Sequence, residues 1–347
     1  MQSVQATADN VHFYSTPREA EDVHGDLLGG LRSDPKRVDP KWFYDANGSE
    51  LFEQITQLPE YYPTRTEIGI LRDNCEAIAE QCGRGCVFIE PGSGSCEKAR
   101  LLLNVLQPAA YVPLDISESF LRESATQLGR EYPWLQVHAV AADFNQGWPF
   151  PDTLPAGRRV VFYPGSTIGN LEPAMALGFL RRVAQVMGDE GGLLIGVDLH
   201  KSEKRLNDAY NDASGITASF NLNMLNHLND VLDAEFDTGT FSHRAFYDTE
   251  RQRIEMHLVS DLAQTVRCNG SQIQFQAGES IHTENSYKYT VEGFADLAAS
   301  AGLALRQTWF DQEQLFSVHY LEIACPPPIF PRRSCVSSAN TREQHYV

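Results

Sequence analysis

The sequence has no CxxC pair, no apolar run long enough to span a membrane, and few cations beside its anions. Each shortage excludes something. A spanning helix needs ~18 uncharged apolar residues, whereas the best runs here, Gly191 to Val197 and Cys86 to Ile89, are short and end in acids. An integral membrane protein is excluded. Lys plus Arg number 28 against 46 Asp plus Glu, a formal charge of −18. Such a surface repels phosphate backbones and anionic headgroups, which argues against nucleic acid or membrane partners and for a small-molecule ligand.

The seven cysteines, Cys75, Cys82, Cys86, Cys96, Cys268, Cys325 and Cys335, are odd in number and suggest no disulfide framework. The opening MQSVQATADN lacks the basic then apolar pattern of a secretory signal, so a reducing cytoplasm is the expected compartment. No HExxH and no tight His–Cys cluster appears, so no catalytic metal is expected. Ser93 and Ser95 stand beside glycines but form no GxSxG, which removes the hydrolase elbow.

What is present is a chain of 347 residues, 42% hydrophobic, enough for about two domains and a substantial core. From Thr64 to Val197 helical periods alternate with short β-branched or aromatic runs, the pattern of parallel βαβ units. A helix is predicted from Thr64, which forms a capping box with Glu67, through Ile68, Leu71, Cys75, Ile78 and Cys82. Strands are predicted at Cys86 to Ile89, Tyr111 to Leu114, Gln136 to Ala141, Val160 to Tyr163 and Leu193 to Val197. In a doubly wound sheet the loops starting at Glu90, Asp115, Asp143 and Pro164 then share one ligand-binding rim.

Beyond Leu199 the rhythm changes. A polar helical stretch through Tyr210 precedes an Asn-rich helix, strand Arg253 to Val259 and a hairpin over Thr265 to Phe275 with Asn269-Gly270 at its turn. A helix from Val291 to Ala301 and two alternating runs, Leu303 to Phe310 and Leu315 to Ile323, return to the first sheet as an edge hairpin. The expected division is residues 64–199 and 287–325 as one domain, 10–63 and 200–286 as a second, discontinuous one, and 326–347 as a flexible tail.

The segment IEPGSGSCEKARLLL places Gly92 and Gly94 between a strand and a helix, where backbone approaches a ligand closely and the helix start supplies free N–H donors. A dinucleotide site would carry a third glycine; Cys96 and Glu97 stand there instead, so S-adenosylmethionine suits the loop better. Asp115, about 25 residues beyond Glu90, lies near the distance at which a carboxylate meets a ribose diol. Asp143 and Phe144 offer a carboxylate to an adenine amino group and a ring to its face. Lys98 would neutralise an amino-acid carboxylate or simply be a solvated helix lysine, and Cys96 reads as packing.

In PGSTIGNL, Ser166, Thr167 and Asn170 face the same rim; Asn170 either holds a small polar substrate or caps the next helix, in which Pro173 falls near N1. The Asn/Asp-Pro-Pro-aromatic tetrapeptide of amide and nucleic-acid methyltransferases is missing there. Tyr44, Tyr61, Tyr62, Tyr210 and Met256 read equally as buried packing or as pocket walls. Glu284 and Ser286, two apart on an extended segment, share a face and could grip a pair of ring nitrogens, or be ordinary half-exposed strand residues.

Together FYDANGSELFEQITQLPEYYPTRTE, GSGSCEKARLLL, YVPLDIS, GSTIGNLEP, AYNDASGITASFNLN, RIEMHL and TENSYKY resemble the S-adenosylmethionine-dependent histidine Nα-methyltransferases of ergothioneine biosynthesis, from about Asp39 to Ile323. The resemblance implies an α/β, class I methyltransferase Rossmann-like core with a discontinuous α+β substrate-binding domain. It implies cofactor contacts at Gly92, Lys98, Asp115, Asp143 and Phe144, and histidine contacts at Tyr61, Asn170, Tyr210, Glu284 and Ser286, with Met256 beside the imidazole and Tyr44 near the amine. Tyr44 and Asn170 carry the catalytic expectation. Pro91 and Pro164 depart from the family pattern. The implied activity is threefold methylation of the L-histidine α-amine to hercynine, by a monomer. The alternatives are a methyltransferase of another aromatic amino acid or amine, and a non-catalytic S-adenosylmethionine-binding regulator; a nicotinamide dehydrogenase lacks its third glycine.

Overall fold

The computed structural model describes residues 9–15, 20–144, 147–268 and 270–324; Asn269, Cys325, Cys335 and the expected tail from Pro326 lie outside the described residues. The chain opens with β1 (Val11–Ser15), α1 (Ala20–Arg32) and β2 (Lys36–Arg37), then α2 (Ala46–Thr56), α3 (Tyr62–Asp73) and α4 (Cys75–Cys82). An alternating stretch follows: β3 (Val87–Pro91), α5 (Glu97–Leu106), β4 (Ala110–Asp115), α6 (Glu118–Glu131), β5 (Val137–Ala141), β6 (Arg159–Tyr163), α7 (Pro173–Met187) and β7 (Gly192–Asp198). Next come α8 (Glu203–Tyr210), α9 (Ile216–Leu232), β8 (Phe241–Asp248), β9 (Arg253–Ser260), β10 (Gln264–Cys268), β11 (Ser271–Phe275) and β12 (Ser280–Tyr287). The described chain closes with α10 (Val291–Ser300), β13 (Leu303–Phe310) and β14 (Phe316–Ile323).

The large sheet has the order β1-β5-β4-β3-β6-β7-β14-β13. Its strands are parallel up to β7; β14 then runs antiparallel to β7, and β13 to β14. This is a doubly wound Rossmann-like sheet closed by an antiparallel hairpin, the class I methyltransferase architecture. Residues alternate between faces along each strand. Phe88, Tyr111, Phe162 and Leu194 pack under Leu71, Ile78, Leu103 and Leu128 on one side, while Ile89, Val112, Val161 and Ile195 meet Phe179, Val183 and Phe294 on the other. A second sheet, β2-β12-β9-β8, covers another core with α2, α8 and α9, in which Phe43, Tyr62, Phe220, Met224 and Met256 are buried.

Three local expectations change. Val11–Ser15, expected with the second domain, pairs with β5 at the edge of the large sheet, and Asn10 Nδ2 donates to carbonyls of Gly129 and Leu135 beside it. The helix predicted from Thr64 begins at Tyr62, with Pro63 in its first turn where a missing N–H costs nothing, so Thr64 and Glu67 form no capping box. That helix also stops at Asn74, whose side chain bonds back to Ile70 O at 2.8 Å, and Cys75 and Cys82 belong to the next one.

Candidate active site

The buried strand β3 ends at Pro91, after which Gly92 (φ 69°) and Gly94 (φ 52°) turn the chain into α5. Both glycines need the left-handed region, and a Cβ on Gly92 would meet the Phe144 ring at 3.5 Å. Asp115 ends β4 and is tied to this loop, accepting from Gly94 N at 3.0 Å and Ser117 N at 3.0 Å. Burial raises the Asp115 pKa, and those backbone donors oppose the rise. Asp143 is ion-paired with Lys41 at 3.1 Å, and the Phe144 ring stands edge-on to Tyr163 and Phe179 at 6.1 and 6.4 Å. These groups, with Glu53, Glu90 and Lys98, line a cavity of about 220 Å³ at the carboxyl ends of the strands.

Lys98 does not point freely into solvent. Its Nζ lies 2.7 Å from the fully buried Glu67, which also accepts from Gly165 N at 2.8 and 3.0 Å. The carboxylate of α3 therefore links α5 to the loop after β6. Glu90 is the other buried acid here; burial pushes its pKa up to about 8, despite a hydrogen bond donated by Tyr111. Cys96, fully buried at φ 58°, has its thiol pushed up to about 12 by burial, which leaves it a packing residue.

A second, inner cavity of about 70 Å³ shares Tyr44, Phe52, Thr167 and Asn170 with the outer one and continues to Tyr61, Tyr210, Met256, Glu284 and Ser286. Apart from Tyr62, the sequence-predicted site residues therefore fall on two adjoining cavities. Glu284 pairs with Met256 across β12 and β9, and Ser286 stands two residues on. Asn170 lies at the end of the short turn Thr167–Asn170 and donates from Nδ2 to Glu284 Oε1 at 3.1 Å. It does not cap α7, whose first turn holds Pro173 and whose cap residue is Glu172.

Burial raises the Glu284 pKa to about 7, against the opposing pull of Lys288 and the Asn170 amide. Tyr44 and Tyr61 are held well above 10, by burial first and then by Glu284 for Tyr44 and by Tyr210 and Glu284 for Tyr61, so both stay neutral phenols at physiological pH. The Tyr210 hydroxyl is committed to Ser286 Oγ at 2.8 Å. Thr167 Oγ1 is spent on Pro164 O, and Ser166 Oγ accepts from Asp198 N, so those two hydroxyls hold the loop. Tyr62 also turns away from the cavity wall formed by Tyr61, donating to Asp198 at 2.7 and 2.9 Å.

Sequence reasoning missed Glu67, Asp198, Lys288 and the ring of Phe220. Lys288 had a visible signal, since 284, 286 and 288 keep the period of an extended strand. Among the described residues Glu255, His257 and His282 also bring one possible metal-ligand atom each to within 4.8 Å of the others. Glu255 is there held by Arg253 at 2.8 and 2.5 Å, so an arginine already answers its charge.

The outer cavity fits S-adenosylmethionine on two counts. Its wall carries the carboxylates of Glu53, Asp115 and Asp143, which suits a sulfonium cation. Tyr163 Oη and Ser93 Oγ, both on that wall, are buried without a hydrogen-bond partner among the described residues.

Residues 23–323 match the family of histidine-specific, S-adenosylmethionine-dependent methyltransferases. The chain belongs to that family. Among its relatives is the histidine N-alpha-methyltransferase of Mycolicibacterium smegmatis, 41% identical over 312 residues, 88% of this chain and 96% of that one. The histidine N-alpha-methyltransferase of Mycobacterium tuberculosis is 42% identical over 293 residues, 83% and 90% of the two chains. Ergothioneine biosynthesis protein 1 of Neurospora crassa is 29% identical over 296 residues, 79% of this chain but 32% of that protein. For this histidine-specific methyltransferase the match takes in both sheets except for β1, and no helix among the described residues is long and apolar enough to cross a membrane.

Proposed function

We propose that the enzyme transfers three methyl groups from S-adenosylmethionine to the α-amine of L-histidine, giving hercynine, the first committed step towards ergothioneine. The observation that carries this reading is the inner cavity, where an acid and a hydroxyl, Glu284 and Ser286, stand side by side behind the outer cavity. An imidazole, with its two polar nitrogens, matches that pair. The names of the mycobacterial and fungal relatives support the substrate and the pathway.

In this reading Gly92, Asp115, Asp143 and Phe144 hold the cofactor, Asp115 accepting from the ribose hydroxyls and Asp143 from the adenine amino group. Lys98 reaches the cofactor carboxylate from its pairing with Glu67. The cofactor supplies a methyl group on a sulfonium, an electrophile that needs no further activation. What remains for the chain is to orient the amine, exclude water and receive a proton before each transfer.

Met256 and Tyr61 flank the substrate, Tyr210 steadies the ring site through Ser286, and Asn170 bridges Glu284 to the boundary between the cavities. Tyr44, on both cavity walls and held as a neutral phenol, positions the amine and does not deprotonate it. Proton loss then goes to solvent or a bound water. Cys75, Cys82, Cys86, Cys96 and Cys268 are free thiols, which supports a reducing cytosol. We also keep the division into a cofactor unit and a discontinuous substrate unit, with β1 moved to the former. Methyl transfer assayed over a panel of free amino acids tests the substrate; preferential turnover of another aromatic amino acid would replace histidine in this account.

A further inference from the structure

Lys288 lies one alternation beyond Ser286, and its side chain is 1% exposed. Its ammonium stands 2.8 Å from Asp198 Oδ2 and donates to Ser286 Oγ at 2.7 Å and to Tyr210 Oη at 3.4 Å. Three acceptors thus use all the hydrogens an ammonium has. Tyr210 and Ser286 are bonded to each other at 2.8 Å, and both line the inner cavity.

The hydrogens of this cluster can be counted. The ammonium and the two hydroxyls carry five: one goes to Asp198, two go from lysine to the hydroxyl oxygens, and one joins the hydroxyls. A single O–H is left over for the cavity. With Tyr210 donating, Ser286 Oγ has accepted two hydrogen bonds and keeps only its own hydrogen to offer. Were the serine to donate to the tyrosine, the leftover hydrogen would sit on Tyr210, with the same polarity. Glu284, in its ionised form, is the complementary acceptor, with Asn170 already on its Oε1.

We infer that Lys288 is a positioning residue that fixes one end of the ring site as a donor and the other as an acceptor, so that the site takes neutral imidazole in one tautomer and rejects imidazolium. The second N–H of an imidazolium would meet the leftover hydroxyl hydrogen head-on. This inference rests on the histidine reading above. The charged and titratable groups around the ammonium are Asp198, Lys201, His200, Tyr62, Tyr247 and Glu284. Asp198 is the anchor of the set, held by Lys201 at 2.6 Å and by Tyr62 as well as by Lys288. Removing Lys288 therefore leaves Asp198 with two donors and releases lone pairs on both hydroxyls.

The test has two arms. Nitrogen NMR of ring-15N histidine bound to the wild-type enzyme with S-adenosylhomocysteine, between about pH 6 and 8, is expected to show one pyrrole-type and one pyridine-type nitrogen throughout. In Lys288→Met the KM for histidine is expected to rise about tenfold at pH 8 with kcat changed far less, and the acid limb of kcat/KM, set near pH ~6.5 by the free imidazole in the wild type, to move to lower pH. Two protonated ring nitrogens in the bound wild-type complex, or an even mixture of tautomers, would overturn the inference and leave histidine as the substrate. A folded Lys288→Met enzyme with unchanged KM and pH profile would overturn it too. No bound histidine at any pH would remove the substrate reading and this inference together. Because the NMR arm uses the wild-type enzyme, it decides the matter whether or not the variant folds.

Discussion

Glu284 is a carboxylate in a place that disfavours charge, and burial there lifts its pKa to about 7. A buried acid with a raised pKa is worth keeping where a ligand N–H can answer it. Glu284→Ala is therefore expected to lower kcat/KM for histidine by about two orders of magnitude, since the ring loses its acceptor and Asn170 its partner. Unchanged histidine turnover in that variant would refute the imidazole assignment. Glu90 gives a separate prediction about stability. Its folded pKa of about 8 lies above the ordinary value of 4.5 because burial favours the protonated form. That contribution is complete below about pH 4.5 and is lost as pH rises through 8. His138 and His319, both pushed down to about 4 by burial, act with the opposite sign, since their contribution is lost as pH falls below about 6.5. The Glu90 effect is isolated by comparing Glu90→Gln with the wild type. The variant's Tm is expected to gain on the wild type by a few degrees as pH goes from about 5 to about 8, and a constant difference would show that Glu90 ionises freely.

At the level of elements, the contact between α3 and β7 sets the shape of the cofactor rim. Gly196 in β7 leaves the space that Glu67 fills; a Cβ there would overlap Glu67 Oε1 and crowd Phe316 at 2.9 Å. Gly196→Ala is expected to cost ~1–3 kcal/mol of stability and, by pushing Glu67 off Gly165 and Lys98, to weaken S-adenosylmethionine binding more than histidine binding. Calorimetric titration of both ligands checks the split; equal losses would mean the carboxylate has no special tie to the cofactor side. This element also marks where sequence reading stopped. The strand, glycine turn and helix from Val87 to Leu106 were legible because their signals are local. Glu67 was not, because its partners Lys98 and Gly165 are brought to it only by the fold, and a capping box explained the same residue more simply. The β1 strand failed for a similar reason: VHFYS reads as an ordinary amphipathic run until β5 pairs with it across the chain.

Across the whole molecule, two sheets meet over two adjoining cavities, and each cavity draws on segments far apart in the chain. Tyr44 and Phe52 come from between β1 and β3, Asn170 from the loop after β6, and Tyr210 and Glu284 from the insert between β7 and β13, which is why isolated motifs suggested a cofactor but only the long idiosyncratic segments suggested the substrate. The charge of −18 argued against broad classes of partner and said nothing of histidine. Cofactor binding should be felt globally: at about a hundredfold excess over Kd, S-adenosylhomocysteine is expected to stabilise the fold by ~2.7 kcal/mol, which raises Tm by several degrees, and NAD to leave it unchanged. A shift with NAD and none with S-adenosylhomocysteine would reverse the cofactor assignment. The central claim is tested most directly by incubating the enzyme with L-histidine and S-adenosylmethionine and fragmenting the product in a mass spectrometer. The account predicts histidine carrying three methyl groups, all on the α-nitrogen. Absence of any methylated histidine, or methyl groups on the ring, would contradict it.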